Sequence, residues 1–234
     1  MSDRPRILCR MTSSIDGGLH PSRYTDSPDG TVKDWTGIYE DLHDRLHADG
    51  WIVGRVTMAE MAKADPTPAT GTDTPPRPHL FQRRDAAPYA ITLDRAGKLR
   101  FAKGDVGGDH FVVLLGSSVG DAHLAELAAN GVSYIVSDSD EIDLPVALAT
   151  LRHDLGIETL LLEGGSGING TFLAAGLVDE FSIVLTPTLD GAAGAERIVA
   201  TPDGLRGKVT LSLIDCERLA AGAVHLRYAV RPAQ

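Results

Sequence analysis

Cysteine is nearly absent from this 234-residue chain: Cys9 and Cys216 stand far apart with no Cys-x-x-Cys pair, so neither a disulfide framework nor a zinc knuckle is signalled. That usage suits a reducing, cytoplasmic compartment. Long apolar runs are missing as well. No stretch approaches a membrane-crossing helix, and Met1 to Met11 carries Asp3, Arg4, Arg6 and Arg10 where a signal peptide needs an unbroken apolar core. A soluble chain with no membrane partner is expected. Positive charge is also scarce, since 22 Lys and Arg against 32 Asp and Glu leave a formal charge of −10. This argues against nucleic acid or an anionic lipid surface as the main partner and still permits a local basic pocket. Metal-ligand spacing is lacking too. Of the eight histidines, His43 and His47 lie four apart on a helical stretch, but without an intervening Glu or a third ligand they read as surface helix residues, and no metal site is expected.

What is present is the alternation of an α/β protein, long enough to bury roughly 70% of its unfolded surface without staples. Ile7 to Met11 reads as a first strand that leaves the core at Thr12-Ser13-Ser14-Ile15-Asp16-Gly17-Gly18. Ile38, Leu42 and Leu46 recur at helical spacing with Tyr39 beside them, and Trp51 to Val53 reads as a buried strand. Five prolines between Lys63 and Ala87 leave no room for a regular element, so this stretch is expected to be a loop or insertion; a domain boundary there is the competing reading. Strands at Tyr89–Leu93, Phe111–Leu115, Ser133–Val136 and Thr159–Leu162 then alternate with helices around Leu124–Ala129 and over Leu144, Leu148, Leu151 and Leu155, the second started by Asp143. Such alternation implies a mostly parallel sheet. The tail changes to period two at Phe181/Ile183/Leu185, Val209/Leu211/Leu213 and Val224/Leu226/Tyr228/Val230. The last two runs predict an antiparallel edge hairpin across a Glu217 to Gly222 connection. One domain spanning residues 1–234 is the expected organisation.

The most informative segment is Leu160-Leu161-Leu162-Glu163-Gly164-Gly165-Ser166-Gly167-Ile168-Asn169-Gly170-Thr171, an apolar strand passing through glycines into a helical pattern. Glycines there allow positive φ and close backbone approach, and the start of the helix favours an anion, so the turn reads as a phosphate cradle. Gly165, Gly167 and Gly170 match G-x-G-x-x-G formally, but no acidic residue ends the next strand as a Rossmann site requires. The other reading is a glycine turn needed only for tight strand–helix packing. Glu163 sits at the strand exit, where open α/β sheets place their ligands.

These residues carry a resemblance. Leu160-Leu161-Leu162-Glu163-Gly164-Gly165, then Asn169-Gly170, Ala175-Gly176-Leu177-Val178-Asp179-Glu180 and Pro187, resemble the signature of the riboflavin-biosynthesis pyrimidine reductases. Thr12-Ser13-Ser14-Ile15-Asp16-Gly17 resembles that family's first-strand turn. The resemblance implies a dihydrofolate-reductase-like three-layer fold, NADPH as hydride donor, and a homodimer. It also implies that Gly164, Gly165, Ser166, Gly167, Ile168, Asn169, Gly170 and Thr171 cradle the cofactor, that Thr57 contacts it and that Trp35 lies beside it. Arg95 falls where the family binds the adenosine 2′-phosphate, a bidentate task suited to a guanidinium. Glu163 matches a carboxylate that hydrogen-bonds the substrate sugar, Arg10 stands where many members carry lysine, and Asp16 matches the aspartate of the turn over the nicotinamide.

Two departures bear on the substrate. The basic residue expected after Asp16-Gly17 is Gly18, and no arginine follows Ala64-Asp65-Pro66 at the position that holds a substrate phosphate; Arg77, Arg83 and Arg84 are the candidate replacements. The implied reaction is reduction of a ribosylamino pyrimidine of the 5-amino-6-(5-phosphoribosylamino)uracil type, with no strong acid–base pair evident. A dihydrofolate reductase using Glu40, Asp41 or Asp44, another small-molecule reductase on the same fold, and a non-catalytic NADPH-binding protein are the alternatives.

Overall fold

The computed structural model describes residues 3–62 and 75–233. Arg6–Ser13 forms β1, Val32–Arg45 α1, Gly50–Gly54 β2 and Arg55–Ala62 α2. Next come β3 (His79–Leu80), β4 (Tyr89–Leu93), β5 (Asp105–Val106), β6 (Asp109–Leu115), α3 (Asp121–Ala129), β7 (Ser133–Val136) and α4 (Leu144–Leu155). β8 (Thr159–Leu162), α5 (Ser166–Ala174), β9 (Glu180–Leu185), β10 (Val209–Arg218) and β11 (Val224–Pro232) follow. These elements fall into two compact units interleaved along the chain: one comprises Met1–Arg6 and Ala48–Leu160, the other Ile7–His47 and Leu161–Gln234.

In the first unit β2, β4, β6 and β7 pair in parallel, with Ile52 opposite Ile91 and Ile91 opposite Val112. Ile52, Ile91, Val112, Val113 and Leu114 are all fully buried, the continuous apolar run that a parallel strand covered on both faces requires. Helix α4 is delimited by local chemistry. The Asp143 carboxylate accepts the Val146 N–H at 3.1 Å, and Gly156 ends the helix at φ +70°.

The proline-rich stretch corrects the expectation in part. Residues 63–74 lie outside the described ones, but His79 and Leu80 form a strand, antiparallel to β7 and opposite Ile135 and Tyr134. The prolines lack N–H groups yet keep their carbonyls: Pro78 O accepts from Val136 N–H at 2.7 Å and Pro76 O from the Tyr134 hydroxyl at 2.9 Å. An edge strand tolerates proline where a central strand does not.

The second unit pairs β1 with β9 in parallel, β9 with β11 antiparallel, and β11 with β10 as the expected hairpin. Its connection is shorter than the sequence suggested, because β10 runs to Arg218 and β11 begins at Val224, with Ala221 and Gly222 taking φ of +53° and +68°. α1 is capped where the sequence turns polar, the Thr31 N–H and hydroxyl both donating to Asp34 Oδ2 at 2.8 and 2.7 Å. Taken over both units, the fold is α/β, with mostly parallel pairings and the antiparallel C-terminal hairpin that the periodicities predict, while the antiparallel pairings of β3 and β5 were not expected. Among the described residues no helix is long and apolar enough to cross a membrane.

Candidate active site

Glu163 is the centre of the second unit's polar chemistry. It leaves β8 just before Gly164, whose φ of +91° only glycine adopts without strain. Strand alternation puts Leu8, Arg10 and Thr12 on one face of β1, and i, i+4 spacing puts Trp35, Tyr39 and His43 along one face of α1. Arg10, Tyr39 and His43 converge on a single atom. Glu163 Oε1 accepts from Arg10 Nη1 at 2.8 Å, the Tyr39 hydroxyl at 2.9 Å, and contacts His43 Nδ1 at 3.0 Å. The guanidinium also donates to Tyr39 O at 2.9 Å and lies 4.3 Å from the centroid of the Tyr39 ring. Among the described residues no donor meets Glu163 Oε2.

The ion pair is nearly dry, with side-chain exposures of 3% for Arg10 and 14% for Glu163. Its surroundings follow. Burial pushes the Tyr39 hydroxyl well above its ordinary pKa, helped by the Glu163 charge, so it remains a donor. Burial likewise pushes the Cys9 thiol far up, with Glu163 as the second cause, so the thiol is inert. The hydrogen bond to Glu163 raises the His43 imidazole above its ordinary value, against the opposing effect of burial.

A cavity of about 230 Å³ opens beside Glu163. Met11, Pro21, Tyr24, Val32, Trp35 and Tyr39 form its apolar wall, and Thr12, Thr36, Thr186 and Glu163 its polar points. Thr12 Oγ1 is buried with no hydrogen-bond partner among the described residues. Flat apolar walls with an unsatisfied hydroxyl and a carboxylate edge suit a planar, hydrogen-bonding ring. Trp35 serves wall and core together, being buried against Val184 and Ala223 while its indole N–H donates to Ala221 O at 2.9 Å.

Of the three residues expected to act on substrate, Arg10 and Glu163 meet and Asp16 does not join them. Asp16 ties its own turn to a distant one, accepting from the Ser14 hydroxyl at 2.6 Å and the Asp190 and Gly191 N–H groups at 3.0 and 2.8 Å. Those bonds, the Ser14 one foremost, hold its carboxyl well below the usual range. Its contribution to stability is complete above the ordinary value of 3.8 and is lost as pH falls toward the depressed native one. Asp16→Asn is therefore expected to flatten the acid limb of a stability profile below about pH 4; an unaltered limb would show that these bonds do not hold the turn.

The glycine turn separates into parts. Gly170 is explained by packing, because a Cβ there would lie 2.0 Å from Ala200 O, whereas no atom of the described residues lies within 4 Å of a Cβ at Gly167. Asn169 is fully buried, donating to Ile198 O at 2.8 Å and leaving Oδ1 without a partner among the described residues. Ser166 opens α5, and both its N–H and hydroxyl donate to Glu196 Oε1, at 3.3 and 2.8 Å. The start of α5 is thus met by a carboxylate of the same chain. Thr171 bonds back to Gly167 O at 2.9 Å, while Ile168 is buried.

Thr57 and Arg95 belong to the first unit. Thr57 is in α2, and Arg95, just past β4, bonds Glu141 Oε1 at 2.5 Å with both side chains more than half exposed. Of the substitutes for the substrate-phosphate arginine, Arg77 is engaged by Val119 O and Asp121, and Arg84 by Asp154.

One correction concerns α1. His43 is exposed only in part, with 32% of its side chain accessible, and its Nδ1 lies 3.0 Å from Glu163 Oε1, a contact that the sequence did not disclose. Tyr39 and His43 lie at i, i+4 on the face adjoining the Ile38/Leu42 stripe, a spacing that helical periodicity reveals without showing what the face meets.

Comparison with known proteins bears on this geometry. The sequence profile of the RibD C-terminal domain matches residues 5–225. A 2,5-diamino-6-ribosylamino-4(3H)-pyrimidinone 5′-phosphate reductase of Methanothermobacter thermautotrophicus is 35% identical over 88 residues, 38% of this chain and 40% of that protein, so it is matched over less than half its length. One of the same name from Aquifex aeolicus is 25% identical over 210 residues, 84% of this chain and 83% of the relative. A solved pyrimidine reductase-like protein of Corynebacterium diphtheriae superposes with a TM-score of 0.68 at 20% identity, covering 97% of this chain and 92% of its own, a likeness of fold. The chain thus belongs to the RibD C-terminal domain family and has its dihydrofolate-reductase-like α/β fold.

Proposed function

We propose that this chain is an NADPH-dependent pyrimidine reductase of riboflavin biosynthesis, converting the ribosylamino group of a 5-amino-6-(5-phosphoribosylamino)uracil-like substrate into a ribitylamino group. The observation that carries this reading is the immobilised carboxylate: three donors hold Glu163 Oε1, and Glu163 lines a cavity walled by Trp35 and Tyr39. Oε2 is thereby left to accept from a sugar hydroxyl or amino hydrogen. A group positioned this firmly lowers the orientation cost of bringing two reactants together. The relatives named above bear the name of this reaction.

NADPH supplies the hydride from its nicotinamide ring when bound. The residues present fit it. In the first turn of α5 the Gly167 and Ile168 amides have no acceptor within the helix, no described atom lies within 4 Å of a Cβ at Gly167, and the buried Asn169 Oδ1 has no partner among the described residues; a phosphate there displaces the Glu196 carboxylate from Ser166. Gly164 to Thr171, with Trp35 and Thr57, are proposed to hold the cofactor, and Arg95 its 2′-phosphate. The Arg95–Glu141 pair is exposed, hence of little net worth, and exchangeable for a phosphate. Among the described residues lining the cavity none is Lys or Arg, so it suits the base and sugar of the substrate and leaves the phosphate to be held elsewhere. Asp16 fastens the first-strand turn.

A single reductase domain over residues 1–234, a cytoplasmic location and a homodimer complete the proposal. The unpaired Cys9 and Cys216 support the second, and the exposed Leu211, Leu213 and Ile214 on β10 support the third.

The test is NADPH consumption with the ribosylaminopyrimidine phosphate, with dihydrofolate and with simple aldehydes. Turnover confined to the last two would refute the pyrimidine reading, and tight NADPH binding without turnover would leave only a binding protein. Arg95→Ala is expected to raise Kd for NADPH roughly tenfold to a hundredfold while moving that for NADH less than about twofold. Equal losses would remove Arg95 from the 2′-phosphate site.

A further inference from the structure

The three donors on Glu163 Oε1 differ in what can happen to their charge. Arg10 is buried and brings a guanidinium, a group that proteins do not deprotonate. Tyr39 stays neutral beside the carboxylate. His43 can gain or lose a charge near neutrality, and its side chain is 32% exposed, enough to exchange protons with water directly.

We infer that His43 is a positioning residue that acts through Glu163: by engaging Oε1 it fixes the turn of the carboxylate, and by its charge it sets how strongly Oε2 accepts from the ligand. This rests on the reading of Glu163 as the carboxylate that faces substrate. With His43 protonated, Arg10, Glu163 and His43 together carry one positive charge, two cations draw on the same carboxylate, and its second oxygen is the poorer acceptor. When His43 loses its proton the sum falls to zero, and Oε2 holds the ligand's donor hydrogen more tightly.

The groups facing His43 come from three elements. Glu163 at the exit of β8 favours its charged form, Arg10 of β1 opposes it, and Asp44 and Tyr39 flank it on α1. The bond to Glu163 outweighs burial, so the step lies on the alkaline side of 6.5. No carboxylate oxygen is asked to carry a proton between His43 and the ligand, because Oε1 is already filled by donors.

The experiment titrates the phosphoribitylamino pyrimidine product into wild type, His43→Asn and His43→Ala from about pH 6 to about pH 9, reading binding by isothermal titration calorimetry. In the wild type Kd is expected to fall about threefold to tenfold as pH rises. Asparagine places an N–H donor near the position of Nδ1 without titrating, so His43→Asn should give a flat profile near the alkaline wild-type value. His43→Ala should be flat and weaker. A pH step that persists in His43→Asn, or a flat wild-type profile with clear binding, overturns the inference and leaves the function standing. Absence of binding to wild type at every pH brings down the function and the inference with it.

Discussion

Glu163→Ala is expected to abolish most activity and to destabilise the fold as well. Arg10 is 3% exposed and directs its guanidinium at this carboxylate and at Tyr39 O, so truncation strands a buried cation beside a tyrosine and a histidine that have lost their shared acceptor. Breaking a buried pair from one side typically costs about 3–5 kcal/mol. Turnover of the pyrimidine substrate should fall about a hundredfold or more, since the carboxylate edge of the cavity disappears, while NADPH affinity changes little. Glu163→Gln separates the two effects, because the amide keeps the shape and one oxygen acceptor but not the charge. Urea unfolding and NADPH consumption on both variants make the comparison. A Glu163→Ala protein with the wild-type midpoint would show that Arg10 finds another partner and that the cluster is not what holds α1 on β1.

Gly170→Ala is expected to be the most damaging of the single-methyl changes in the glycine turn. The added carbon would sit 2.0 Å from the oxygen and 2.7 Å from the carbon of the Ala200 carbonyl, which are backbone atoms and not the tip of a flexible side chain. That segment is tied to the start of α5 by the Ala200 N–H donating to Ser166 O at 3.0 Å, so either the helix moves or the segment detaches. A loss of roughly 2–4 kcal/mol follows from overpacking of this kind. Gly167→Ala makes the control, being in the same helix with no atom of the described residues within 4 Å of the new carbon; alanine should be neutral there or stabilising by up to about 1 kcal/mol. Thermal unfolding of the pair decides the matter, and equal midpoints would refute the close approach at Ala200.

The sequence disclosed the strands and helices that bury a face, because period 2 and period 3.6 are written in the same residues that form the core: Ile52, Ile91 and Val112 in one unit, Ile183 and Val230 in the other. It was silent where a partner comes from far away. The β3 edge hides in a proline-rich run because its hydrogen bonds use carbonyls, which every residue has. Glu196 on the Ser166 amide lies thirty residues downstream in a stretch without regular structure, and no local pattern marks it. The contact of His43 with Glu163 was hidden for a related reason, since an imidazole on a half-polar helix face is ambiguous until its neighbours in space are known. Glu163 itself was legible, because a strand exit followed by two glycines is a local event.

The Arg10–Glu163 bond joins residues 153 positions apart, and the unit containing it is assembled from Ile7–His47 and from Leu161 onward. No contiguous fragment ending before Glu163 can therefore close the cavity. During synthesis Arg10 therefore precedes its carboxylate by the whole of Ala48–Leu160. Loop-closure entropy grows only slowly with such a span, so the delay bears on the order and speed of folding far more than on final stability.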